Sequence, residues 1–182
     1  MPTIVATVGA SDANSYLSVE DATELLDARL GSSAWAEADP NDQARALIMA
    51  TNDIDSNRFR GYKVSYDQAL QFPRTDQPNT PSDEIPRDVQ MACAEQALWC
   101  IQNASTGGRS DRQVLQAQGI SQYTVGNLSE TFRGGFNAAG LCPNGLRYLQ
   151  GYIMRTGRLV GPRDQALYED GQQRWHSGPF GS

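Results

Sequence analysis

Cysteine and histidine are the first side chains to examine for chemistry, and this sequence has few of them. It contains three cysteines, Cys93, Cys100 and Cys142, and one histidine, His176. A zinc site needs four closely spaced ligands, and a serine hydrolase needs a histidine beside its serine. The sequence therefore predicts no metal, no cofactor and no catalytic residue. Cys93 and Cys100 lie on one side of a predicted helix, where buried cysteines act as small hydrophobic residues.

Carboxylates and glycines give no stronger signal for a ligand site. Asp53 and Asp55 could suggest a metal, but the glycine and distal glutamate that an EF-hand loop requires are missing. A solvated helix end is the simpler interpretation. The two glycine pairs, Gly107-Gly108 and Gly134-Gly135, lack the spacing of a phosphate-binding glycine loop. The lack of this spacing argues against nucleotide binding.

Aromatic residues next to arginines are the remaining candidates. The pairs are Arg58-Phe59-Arg60, Phe72 with Arg74, and Arg174 with Trp175. Such pairs can stack on the bases of single-stranded DNA, and they also anchor protein interfaces. We favour protein contacts, because nucleic-acid binding usually needs a basic surface and this chain is acidic.

The charge is unevenly distributed along the chain. The net charge is −6, from 15 basic and 21 acidic residues. Residues 1–57 hold ten acidic and two basic residues, whereas the rest of the chain holds 11 acidic and 13 basic residues. Fourteen of the 15 cations are arginine, which favours paired or interfacial contacts over a diffuse solvated coat. The two regions could face different partners, or each other.

The elements that must position these residues are mostly helical. Apolar residues at helical spacing predict helices over about 18–30, 41–56 and 86–103, with Ser18 and Asp21 as a capping box. We expect the third helix to be the centre of the core. A strand over Thr3–Val8, a structured loop over 57–85 and a short helix from Pro143 to Gly157 complete this part of the prediction.

A β-hairpin is predicted over about 120–132. Gly126-Asn127 separates two alternating segments, as in a two-residue hairpin turn. Val125 would then oppose Leu128, and Tyr123 would oppose Glu130. The predicted fold is mainly α, a small helical bundle with a hairpin and an extended C-terminal tail.

The C-terminal segment is predicted to dock on a surface, either of its own domain or of a partner, since it carries apolar and arginine anchors but too few aliphatic residues for its own core. The candidate anchors are Arg158, Leu159, Arg163, Leu167, Tyr168, Arg174, Trp175 and Phe180. We expect a helical core with the hairpin over residues 1–132, and a C-terminal helix and docking tail over residues 133–182.

Several segments in register carry a family resemblance. They are Asn14–Ala22, Ala46–Asp55, Gln68–Thr75, Ile85-Pro86 with Glu95, and Val125–Ser129. In this order they resemble the head-tail connector, or neck adaptor, family of tailed phages, whose members often carry the label of DnaT-like single-stranded-DNA-binding proteins. The motif residues are Tyr16, Ser18, Ala50, Thr51, Asp55, Phe72, Pro73, Arg74 and Pro86.

The resemblance implies a structural virion protein without enzymatic activity. Its subunits would form a ring, commonly of twelve copies, between the portal protein and a downstream neck or tail protein. Genomic double-stranded DNA would pass through the channel without sequence-specific binding. An acidic channel wall would suit that role, because a basic wall would hold the duplex through counterion release.

The family label supports an alternative function, a single-stranded-DNA-binding replication protein. The connector interpretation places the chain in the virion neck after assembly in the host cytoplasm. A reducing compartment agrees with an odd number of cysteines that include no CxxC pair. The sequence shows neither a membrane-spanning apolar stretch nor a basic signal region at its start. We accordingly expect a soluble protein with no membrane partner.

Overall fold

The computed structural model describes residues 2–75, 83–117, 122–125, 128–131 and 140–154. These residues are mainly helical, as predicted, with six α-helices and one antiparallel strand pair. The helices are α1 (Val19–Asp27), α2 (Ser33–Ala36), α3 (Pro40–Asp55), α4 (Arg87–Gln102), α5 (Asp111–Ala117) and α6 (Pro143–Leu149); the strands are β1 (Gln122–Val125) and β2 (Leu128–Thr131). Among the described helices, none has the length and apolar character needed to cross a bilayer.

The caps of α1 and α3 are the ones that the sequence indicates. The Ser18 hydroxyl accepts the Asp21 N–H at 3.1 Å, and the Asp21 carboxylate accepts the Ser18 N–H at 3.4 Å, which completes the capping box. Asp39 caps α3 by accepting the Asn41 N–H at 2.8 Å. The helix α1 ends at Asp27, earlier than predicted, because the chain turns at Ala28.

The core forms between α3 and α4, with α1, α2 and α6 packed against α4. The predicted inward stripe of α4 is fully buried, and it consists of Val89, Ala92, Cys93, Gln96, Ala97 and Cys100. Small side chains on both helices let the two backbones approach closely. At the contact, the Thr51 hydroxyl lies 3.6 Å from the Cys93 Sγ atom. The prediction that this helix is the centre of the core is confirmed.

Two of the predicted elements are wrong in part. Residues 3–8 form no strand, because the Asn14 side chain takes the place of a partner strand: its Oδ1 accepts the Val5 N–H at 2.8 Å and its amide donates to the Thr3 carbonyl at 2.8 Å. The helix from Pro143 ends at Leu149 and not at Gly157. Beyond it, Ile153 forms an isolated bridge with Phe59.

Two helices, α2 and α5, are missing from the prediction. The short α2 contributes Trp35, which is 1% exposed and donates its indole N–H to the Thr23 hydroxyl at 3.0 Å. Four residues are too few to show a helical period, so their burial could not be recognised from the sequence.

The hairpin has the predicted register. β1 and β2 pair antiparallel, with Val125 opposite Leu128 and Tyr123 opposite Glu130. The predicted Gly126-Asn127 turn and most of the segment from 133 to 182 lie outside the described residues.

Gln96 joins α6 to the α3–α4 core. Its amide group donates to the Asp53 carboxylate at 2.9 Å and to the Gly140 carbonyl at 3.1 Å, and its Oε1 atom accepts the Cys142 N–H at 2.7 Å. Close packing of α6 also needs Gly145, where a Cβ atom would lie 3.4 Å from the Ala92 carbonyl and 3.2 Å from the Cys142 Sγ atom.

We predict that Gln96→Leu lowers the free energy of unfolding by about 2–4 kcal/mol, since each unpaired buried polar group costs about 1–3 kcal/mol. Chemical denaturation measures the change. Gln102→Leu, on the exposed end of the same helix, is the control and should cost little. Equal effects of the two variants would contradict the role given to Gln96.

Candidate functional site

Asp55, the last residue of α3, joins two loops to the helix. The Tyr16 hydroxyl donates to its Oδ1 atom, and the Gln71 N–H donates to its Oδ2 atom at 3.1 Å. The Tyr16 N–H also donates to the Thr51 hydroxyl at 3.3 Å. A carboxylate with two acceptor atoms can hold two donors at once, so Asp55 fixes the loop before α1 and the loop after α3 in one place.

The electrostatics of this junction follow from its burial. Burial raises the pKa of the Asp55 carboxyl above its ordinary value, against the opposing effect of the hydrogen bonds from Tyr16 and Gln71. Burial also raises the pKa of the Tyr16 hydroxyl, and the nearby Asp55 charge adds to the effect. The Tyr16 hydroxyl therefore keeps its proton at neutral pH and can donate it to Asp55.

A cluster of aromatic rings covers the same junction. The Phe72 ring lies edge-on to Tyr16, Phe59 and Tyr152, with centroid distances of 6.0, 4.8 and 5.9 Å. Phe72 is 1% exposed and Phe59 is 4% exposed. The Phe72-Pro73 peptide bond is cis. These rings anchor residues 57–75, which we call the tyrosine loop, to the core.

Arg74 organises the first half of the tyrosine loop. Its guanidinium is buried and donates to the carbonyls of Phe59 at 3.3 Å, Arg60 at 2.8 Å and Gly61 at 2.6 Å. It also donates to the side-chain oxygen of Gln71 at 2.8 Å. Burial lowers the pKa of the Arg74 guanidinium from its ordinary value. A single fixed cation thus sets the path of three consecutive residues.

Gln68 organises the tip of the tyrosine loop. It is buried, and its amide donates to the carbonyls of Leu70 at 2.9 Å and Pro73 at 3.1 Å, while its Oε1 atom accepts the Ser65 N–H at 3.0 Å. The Lys63 ammonium donates to the Gln68 carbonyl at 3.2 Å, which closes the tip from the other side. The tip is therefore held by side chains that point inward.

Two tyrosines project outward from this rigid backbone. Tyr62 is 77% exposed and Tyr66 is 100% exposed. Exposed aromatic faces on an ordered loop can stack on planar groups with little loss of conformational entropy, because the backbone is already fixed.

The tyrosine loop is basic within an acidic chain. It holds four basic residues, Arg58, Arg60, Lys63 and Arg74, and one acidic residue, Asp67. Arg58 and Arg60 are exposed and flank the buried Phe59, as alternation along an extended segment requires. Two exposed rings and two exposed guanidinium groups therefore share one short loop.

The aromatic platforms predicted from the sequence are only partly correct. Phe59, Phe72 and Arg74 are buried, so none of them can stack on an external base. Arg174 and Trp175 lie outside the described residues. The exposed rings, Tyr62 and Tyr66, were missed. The signal for Tyr62 was the Gly61-Tyr62-Lys63 segment, in which an aromatic residue is next to a cation in a loop; Tyr66 has no adjacent cation to mark it.

All nine motif residues lie among the described residues, and most of them meet at one junction. Tyr16, Thr51, Asp55, Phe72 and Arg74 belong to the contacts described above, and the Pro73 carbonyl accepts from Gln68. Ala50 is buried on α3, while Ser18 and Pro86 begin α1 and α4. The motif is therefore a structural junction that supports the tyrosine loop.

The predicted tail anchors lie outside the described residues. They are Arg158, Leu159, Arg163, Leu167, Tyr168, Arg174, Trp175 and Phe180. Within the described ranges, no group of three His, Cys, Asp or Glu side chains is placed to hold a metal ion. Burial raises the pKa of Cys93 and of Cys100 to about 12, so both thiols are protonated at neutral pH.

Comparison with known protein families shows a match over most of the chain. A family model described as "Putative DnaT-like ssDNA binding protein" matches residues 1–155. No curated protein and no solved structure matches the chain. The predicted resemblance to head-tail connectors was therefore wrong. The ring-forming neck adaptor role and the portal and tail partners rested on that resemblance, and they are withdrawn with it. The predicted location rested on that resemblance and stays a prediction.

We predict that Arg74→Lys lowers the free energy of unfolding by about 1.5–3 kcal/mol, because lysine keeps the charge but cannot reach the same set of carbonyls with one nitrogen. Denaturant unfolding measures the loss, and limited proteolysis should show faster cleavage within residues 57–75. Arg45→Lys is the control, since Arg45 forms an exposed pair with Asp42 and should change stability by less than about 1 kcal/mol. Equal losses would contradict the role of Arg74.

We predict that Asp55 makes stability depend on pH. Because its pKa is raised in the folded state, its contribution is fully present below the ordinary aspartate pKa of about 3.9 and is lost as pH rises through the folded pKa. The stability difference between wild type and Asp55→Asn should therefore shrink as pH rises across that interval. Denaturant unfolding at several pH values measures this. A difference that grows instead would show that the hydrogen bonds outweigh burial.

Proposed function

The chain belongs to the DnaT-like single-stranded-DNA-binding family, and from that premise we propose that it binds single-stranded DNA through the tyrosine loop. The observation that carries this proposal is the exposure of Tyr62 and Tyr66 on a rigid, basic loop. Proteins that bind single strands without strong sequence preference combine aromatic stacking platforms with cations that follow the backbone. This loop supplies both in one segment.

Stacking explains why single strands would be preferred over duplex. The faces of duplex bases are already stacked on one another, whereas single-stranded bases can leave the stack and lie on an aromatic ring. Tyr62 and Tyr66 lie four residues apart on a loop whose backbone is fixed by Arg74 and Gln68. Two bases of a flexible strand would meet rings that need no reorganisation.

The cations of the loop would contact phosphates. Arg58 and Arg60 are exposed, and Lys63 adds a charge whose ammonium already donates to the Gln68 and Ala69 carbonyls. With so few cations on a chain of net charge −6, binding would depend more on stacking than on counterion release. We therefore infer moderate affinity and a shallow salt dependence.

The proposal includes no catalysis. The buried thiols are protonated, and the raised pKa of the Asp55 carboxyl belongs to a structural junction. Binding and positioning of a strand would be the whole activity of the site.

We predict that Tyr66→Ala weakens binding of a fluorescent oligothymidine about 5- to 150-fold, as expected for a stack worth about 1–3 kcal/mol per base. Tyr62→Ala should act similarly. Fluorescence anisotropy measures the affinity at several salt concentrations. The slope of the logarithm of the association constant against the logarithm of the salt concentration should approach about −2, for three contacts at about −0.7 each.

Tyr66→Phe is the matched control, because it keeps the ring and should keep most of the affinity. Leu30→Ala, which removes an exposed apolar side chain far from the loop in sequence, should have no effect. Absence of binding at low salt, or equal binding by the wild type and the alanine variants, would contradict the proposal. Equal affinity for duplex and single strand would contradict the stacking argument.

A further inference from the structure

A second surface of this chain is a cleft of about 600 Å³ beside α3, remote in sequence from the tyrosine loop. Its floor is apolar, from Ala34, Ala46, Met49 and Ile101. Met49 is 41% exposed although it belongs to a core helix. This volume lies within the range of about 300–1,000 Å³ that is typical of ligand-binding pockets in proteins.

The far wall of the cleft depends on two glycines. Gly107 and Gly108 have φ values of +69° and +79°, so the chain can turn back onto α3 directly after the 3-10 helix Ala104–Thr106. A Cβ atom on Gly108 would lie 2.9 Å from the Met49 Cε atom. The turn therefore lies directly against the exposed methionine.

The rim of the cleft is acidic. Glu37, Asp39 and Asp42 line it together with one cation, Arg45, which pairs with Asp42 at 2.6 Å. An occupant that matches this cleft needs a small apolar group with basic residues on either side. An apolar partner without basic flanks would leave the acidic rim uncompensated.

The chain contains a segment with this chemistry. Residues 155–163 hold three arginines and no acidic residue, and Leu159-Val160 lies between Arg158 and Arg163. The described part ends at Met154, whose N–H donates to the Arg58 carbonyl at 2.8 Å, beyond the C-terminal end of α3. The six residues from Met154 to Val160 can span roughly 20 Å, whereas Met49 is only about 9 Å along the helix from Asp55.

We propose that the cleft beside α3 is the docking site of this chain's own segment Arg158–Arg163. Leu159 and Val160 enter the apolar floor at Met49, and the arginines on either side face Glu37, Asp39 and Asp42. The segment thereby covers a surface that the described residues leave exposed.

The test uses the full chain with a nitroxide spin label on Asp164→Cys, since the native thiols are buried and resist labelling. Methyl carbon-13 methionine spectra then report on Met49, with Met91 as the internal reference on α4. The Met49 signal should be weaker with the paramagnetic label than after the label has been chemically reduced. The Met91 signal should differ less between the two spectra.

Variants identify the contacts. Replacing Leu159 and Val160 with serine should restore the Met49 signal. Replacing Leu167 and Tyr168 with serine also removes two large side chains, but outside the docking segment, and should not restore it. Glu37→Lys should also restore it, while Glu24→Lys on α1 should not.

Three results would overturn the proposal. The first is a Met49 signal that the label does not affect more than Met91. The second is an equal effect of target and control variants. The third comes from mixing spin-labelled chains that lack carbon-13 with carbon-13 chains that lack the label: selective loss at Met49 in that mixture would identify a second copy as the occupant.

Discussion

The tyrosine loop depends on one buried cation. Residues 57–75 contain neither a helix nor a named strand, so their backbone groups need partners from side chains. Arg74 meets this need by donating to three consecutive carbonyls, and Asp55 adds the link to α3 through Gln71. Charge-assisted hydrogen bonds in a partly dehydrated site are stronger than neutral ones, which explains how a loop without a core of its own can keep one shape.

The helices α1, α3 and α4 were predictable because their signals are local. Ser18 and Asp39 are caps that act on the next few residues, and the period of α4 extends over 16 residues. The strand over residues 3–8 failed for the opposite reason. Its β-branched residues fit an extended backbone, but whether a partner strand exists depends on distant parts of the chain, and here the Asn14 side chain takes that place.

The site was harder to predict than the fold, because neighbours in the sequence do not reveal which side chain points outward. Phe59 between two arginines suggested a stacking platform, yet the alternation of the backbone directs Phe59 inward and the arginines outward. Arg74 beside Phe72 suggested the same kind of platform, and only the folded chain shows that its partners are the carbonyls of residues 59–61. Exposure of Tyr62 and Tyr66 depends on that arrangement, which the residues next to them in the sequence do not show.

Different residues of the tyrosine loop hold its backbone and face the solvent, and this separation has an evolutionary consequence. Gln68, Lys63 and Arg74 hold the backbone, whereas the rings of Tyr62 and Tyr66 extend into solvent. Under the proposed function, mutations at the two outward positions would alter ligand preference while leaving the scaffold intact, so natural selection could diversify recognition there at little risk to folding. The inward positions lack that freedom, since each one serves several carbonyls at once.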